Sequence, residues 1–210
     1  MILRSRPVIR TVSIFLSTLL LILSSACRRT ELSASEYDVL SAWISANVAA
    51  HASEGSISKI VILGRTQSGD RELRTDRNGQ PLSWQQVAKL LQSDDPALQP
   101  ATIDAFRAVN VHPTALRRSI HLGVDYIVAD RTQLDSIFRQ KDGWGAFYRQ
   151  FPGAHGFLTV SRVGFNADGG QALFWVANRC GGLCGGSAYI AMDKQNGRWV
   201  VTKIMEELMS

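Results

Sequence analysis

The chain has 210 residues, 45% of them hydrophobic, with 23 Lys and Arg against 18 Asp and Glu for a formal net charge of +5. Three of those bases, Arg4, Arg6 and Arg10, fall in a leader that carries no acid, so the rest of the chain stands at +2, which is not the footprint of a nucleic-acid binder. The length behind the leader suffices for one domain with a sizeable core.

Residues 1–26 read as a targeting segment. The three arginines form a positive n-region, Val12–Leu23 is an apolar core of twelve residues, and Ser24-Ser25-Ala26 supplies small residues before Cys27. The core falls short of the ~20 apolar residues of a membrane span, which ranks an uncleaved anchor last. The segment resembles a bacterial lipoprotein signal, in which the cysteine after the small residues is lipidated and becomes the mature N-terminus. That resemblance implies lipidation of Cys27 and a chain held at the membrane of the cell envelope, facing the periplasm or the exterior. Ser24 stands where such signals usually carry Leu, and Ser24-x-Ala26 also suits ordinary signal cleavage. Arg28 after the cysteine resembles the pattern of lipoproteins that travel to an outer membrane.

Residues 27–34 read as a tether, and 35–210 as a single domain. Ser33-Ala-Ser-Glu36 is a capping-box pattern, followed by Tyr37, Leu40, Ile44 and Val48 at helical spacing, which predicts an amphipathic helix over Ser35–Ala49. Ile57–Gly64 is rich in β-branched residues and reads as a strand. Arg65–Gln80 interleaves Arg65, Arg71, Arg74 and Arg77 with three acids and two glycines, the pattern of a solvated loop or hairpin. Ser83 caps a predicted helix Trp84–Gln92 with Val87, Leu90 and Leu91 inward, and a second helix covers Ala101–Val109. Leu122–Ala129 reads as a strand. Asp130 or Thr132 then caps Gln133–Arg139, and Lys141–Phe151 continues helically with an aromatic stripe of Trp144, Phe147, Tyr148 and Phe151.

The last fifty residues read as antiparallel strands: Phe157–Phe165, Gln171–Asn178, Ser187–Asp193 and Arg198–Ile204. Asn166–Gly170 and Asn196-Gly197 are turn signals, the latter the strongest short hairpin cue. Gln171–Asn178 is uncharged and apolar on both faces, so it is central and covered on both sides. Cys180-Gly-Gly-Leu-Cys184 sits in the bend between the second and third of these strands, among Gly181, Gly182, Gly185 and Gly186. Backbone freedom at those glycines lets the two Cα atoms approach the ~5.5 Å of a disulfide. A redox pair prefers two intervening residues and a helix N-terminus, and a zinc site needs two more ligands, for which His51, His112, His121 and His155 show no spacing. A structural disulfide, no metal and no cofactor are the expectation. With Cys27 at the processing site no thiol is left over, which suits an oxidising compartment.

The run Gly143-Trp144 to Phe151-Pro152, Ser161-Arg162-Val163-Gly164-Phe165-Asn166, Ala172, Cys180-Gly-x-Leu-Cys184-Gly185 and Gly197-x-Trp199 resembles a group of secreted bacterial proteins. The resemblance covers roughly the last seventy residues and implies no activity. Helices feeding a curved sheet are also similar to the cystatin and nuclear-transport-factor-like folds, an analogy that carries no function.

The expected class is α+β: an antiparallel sheet of five or six strands, helices mainly on one face, and a C-terminal β-meander pinned by the disulfide. The favoured function is a membrane-tethered, non-enzymatic binding or structural domain for an unidentified protein or small molecule. Arg162, Asn178, Arg179 and Tyr189 are its candidate ligand residues. The alternative is a periplasmic hydrolase using His155 and Ser161, with Asp168, Asn178 and Arg179 at strand ends. A thiol oxidoreductase at Cys180 and Cys184 ranks third.

Overall fold

The computed structural model describes residues 31–49, 58–68, 80–182 and 184–207. The expected leader, the expected lipidation residue Cys27, most of the expected tether, and Arg71, Arg74 and Arg77 lie outside the described residues. In chain order come α1 (Ala34–Ile44), running into a π-helical turn Ser45–Ala49, then β1 (Lys59–Leu63), α2 (Trp84–Asp94) and α3 (Pro100–Val109). After them come β2 (Asp125–Ala129), α4 (Arg131–Phe138), α5 (Gly143–Gln150), β3 (Ala154–Val160) and β4 (Gly164–Phe165). The chain closes with β5 (Gln171–Gly181), β6 (Cys184–Gln195) and β7 (Arg198–Glu207).

The helix starts are those that side-chain chemistry dictates. Ser33 with Glu36, and Ser83 with Gln86, form complete capping boxes at α1 and α2. Pro100 occupies the first turn of α3, where its missing N–H costs nothing. Asp130 and Asp142 accept backbone N–H groups at the starts of α4 and α5. The predicted continuous helix through residue 151 is therefore a new one, begun by Asp142.

The class is α+β, and β5, β6 and β7 form the expected antiparallel meander. The sheet as a whole is mixed. Its order is β2-β1-β3-β5-β6-β7, with β4 paired to β5, and β1 runs parallel to both of its neighbours. Connection length explains this: β1 reaches β2 through α2 and α3, and β2 reaches β3 through α4 and α5. Such helical crossovers return the chain to the edge it left, so the strands pair parallel.

Residues alternate between two cores. Ile60, Ile62, Leu158, Val160, Phe174 and Val176 pack under α1 with Tyr37, Leu40, Trp43 and Ile44. On the opposite face Leu173, Trp175 and Tyr189 meet Val87, Leu91, Ile103 and Phe106 of α2 and α3. Beside them Val61, Leu63 and Ala129 meet Leu134, Ile137, Phe147 and Phe151 from α4 and α5 with its end. Four of the five described α-helices thus share one face. Leu90, expected inward, is 38% exposed, because the buried side of α2 runs through Val87 and Leu91. α3 lies so close to β4 that a methyl at Gly164 would overlap the Phe106 backbone.

The stretch expected as one strand, Phe157–Phe165, is two strands separated at Ser161–Val163. Arg162 leaves the sheet there to reach Glu36. Of the expected tether, Glu31 bridges Ala115 and Leu32 is buried.

Candidate functional site

β5 turns into β6 at one end of the sheet, and there the chain bends through its glycines. Cys180 and Cys184 are disulfide-bonded with Cα atoms 5.1 Å apart. Gly181 pairs with Cys184 across a bulge that follows Arg179. Gly181 and Gly185 hold φ of 156° and 145°, and a Cβ on Gly185 would press on the Asn178 carbonyl oxygen. The Tyr148 hydroxyl donates to the Cys180 carbonyl at 2.6 Å, fixing the hairpin to α5. Burial pushes the Tyr148 pKa up, which keeps that donor protonated.

A concavity of about 460 Å³ opens on this end of the sheet. It lies on the face that carries four helices. α2 and α3 cover the sheet over Trp175 and Tyr189, and α5 covers Phe157, with Trp144 stacked on that ring at 6.2 Å. Between the two groups the floor is Ala177, Ser187 and the glycines 181, 182, 185 and 186, which have no side chains to raise it. Trp144 forms one wall, and Asn178 and Arg179 line the other part of the rim with Cys184.

Two of the four residues expected around a ligand therefore line the concavity, Asn178 and Arg179, and two do not. Tyr189 is fully buried on the helix-covered face, 5.7 Å from the Phe106 ring. Arg162 belongs to a different construction. Its Nε and Nη2 donate to Glu36 Oε1 and Oε2, both at 2.9 Å, with side-chain exposures of 13% and 3% for Arg162 and Glu36. Glu36 also accepts from the Ser33 N–H and hydroxyl and the Val163 N–H. Asn110 completes the lock by accepting the Arg162 N–H and donating to its carbonyl. Burial alone would raise the Glu36 pKa, and the donors from Arg162 and Ser33 with the arginine charge outweigh it, so the net shift is downward. Residues at the concavity that sequence reasoning missed include Trp144, Trp175 and Ser187. Trp144 looked like core because its stripe is core.

His155 and Ser161 are not brought together. They lie at opposite ends of β3, six residues apart, which is about 20 Å in an extended strand. The Ser161 hydroxyl is committed: it donates to the Arg162 carbonyl and accepts from the Trp175 N–H, each at 2.8 Å. Asp168 caps its own turn, accepting from the Gly170 N–H at 2.8 Å. A nucleophile needs a base within hydrogen-bond reach, and among the described residues the Ser161 hydroxyl donates to a backbone carbonyl instead.

Among the described residues no group of three or more His, Cys, Asp or Glu side chains comes together as a metal site. No described helix is long and apolar enough to cross a membrane. What the concavity offers chemically is a glycine-rich backbone floor, a guanidinium, an amide and an indole, a set suited to holding a ligand. No protein-family model, no curated protein and no solved structure matches this chain.

Proposed function

We propose that the chain is an exported, lipid-anchored binding domain without catalytic activity, and that its ligand seats in the concavity at the disulfide-closed end of β5 and β6. The concavity carries this reading: about 460 Å³ is within the size of pockets that take small ligands or a short peptide segment. Its glycine floor is held in place by the disulfide and by the Tyr148 hydroxyl. The leader supports the rest, through its arginines, its twelve-residue apolar core and a cysteine that the paired sulfurs leave over.

Gly182 provides a test that spares the fold. A Cβ built there meets nothing within 4 Å, so Gly182→Trp fills the concavity at little cost. Native mass spectrometry of the chain isolated from its own envelope should show a bound molecule in the parent and at least a tenfold lower occupancy in the variant, with equal melting temperatures. An adduct that persists in Gly182→Trp, or a parent that carries none, sinks the reading.

A further inference from the structure

The sheet topology decides which end of the domain a lipid at Cys27 would hold to the membrane. β1, β2 and β3 are parallel, so their C-terminal ends, Leu63, Ala129 and Val160, share one edge. The described chain enters at that edge. Glu31 bridges Ala115, Ala115 bridges Arg65, and Leu116 donates to the Gly64 carbonyl. Arg117 is ion-paired to Glu31. Leu32, in the core, pins the entry point. The disulfide hairpin lies at the opposite edge. β5 is antiparallel to β3, with Val160 opposite Val176 and Phe157 opposite Arg179. The strand runs five residues past Val176 before its end at Gly181, a further ~17 Å from the entry edge.

Covalent reach does the rest. Only Arg28, Arg29 and Thr30 lie between Cys27 and Glu31, and the four steps of a fully extended chain across them span about 14 Å at most. Resting on the anchor reading given above, we propose that segment 111–117, with Arg65, is the face this domain lays against the lipid headgroups, and that the concavity points away from the bilayer. The segment suits that position. Val111 is 51% exposed, and His112, Pro113, Ala115 and Arg117 are exposed beside it. No acid occurs in the sequence between Asp104 and Asp125. The acids that face it from neighbouring elements are Glu31, paired with Arg117, and Asp130, close to Arg65. A domain held this way receives its ligand from the open compartment, not from the membrane.

The experiment uses the full lipidated chain in phosphatidylglycerol–phosphatidylcholine vesicles that contain a small fraction of a phosphatidylethanolamine bearing a headgroup diazirine. After illumination, mass spectrometry counts crosslinks per peptide. At least tenfold more crosslinks in 111–117 than in 178–187 is the expected result. Equal labelling of the two segments, or an excess in 178–187, overturns the orientation while leaving the anchor standing. The mass of the mature N-terminus is read in the same sample. An unmodified Cys27, or an intact leader, overturns the anchor and the orientation with it.

Discussion

Glu36 does three jobs with one carboxylate: it closes the capping box of α1, neutralises Arg162, and ties the break between β3 and β4 to the helix across the core. Removing one partner of a buried pair costs far more than the pair contributes over an apolar substitute, because the other charge is left behind. Glu36→Gln should therefore destabilise the domain by about 3 kcal/mol, measured by denaturant unfolding at neutral pH. The pH dependence has a fixed sign. Held below its ordinary 4.5, the carboxyl contributes stability that is fully present above that value and is lost as pH falls through its folded-state pKa. The gap between parent and Glu36→Gln should narrow on acidification below about pH 4.5, and a gap that widens there would contradict the pairing. At this scale the sequence was half legible. The spacing Ser33 to Glu36 announced the cap, but nothing local to Glu36 pointed to an arginine 126 residues away.

Elements were legible where turn and cap chemistry is local. Asn196-Gly197, with φ of 51° and 79°, makes the two-residue hairpin that its dipeptide predicts. The cysteine bend was legible too, since glycines on both sides of so short a loop leave a disulfide as the economical use of two thiols. Its contribution follows from loop closure. A bridge between residues four apart constrains the unfolded chain by about 2 kcal/mol. Replacing both cysteines by Ala should lower stability by that amount. It should also speed amide exchange in 178–187 well beyond the rest of the sheet, because the Tyr148 hydrogen bond then holds that end of the hairpin without its covalent staple. A loss confined to global stability, with no local effect, would mean that the bridge does not organise the concavity. What element-level reading missed was orientation. β1 and β2 are alike as short apolar runs whether they pair parallel or antiparallel, and the helices between them decide which.

Across the whole molecule the weight of the fold rests on β5 and β6. Phe174 and Val176 are buried under α1, Leu173 and Trp175 under α2 and α3, and their partners Ile190, Tyr189 and Ala191 are buried as well. Amides opened only by global unfolding exchange slowest, so the slowest exchange should fall in Leu173–Ala177 and Tyr189–Ala191. If β1 and β2 prove slower, the centre of stability lies in the parallel half instead. The alternation of Gln171–Asn178, apolar on both faces, determined this centrality by itself, because a strand without a polar side has to be covered twice. The meander was likewise a local matter of period and turn residue. The concavity was not. It exists because α2 and α3 on one side and α5 on the other, elements whose nearest ends, Val109 and Gly143, are far apart in the chain, stop short of a glycine floor. Likewise Arg162 and Tyr189 turned out to be interior residues, while Trp144 reached the rim. Side-chain destinations depend on which elements land on which face, and that is settled by long-range pairing, to which a residue's sequence neighbours are blind.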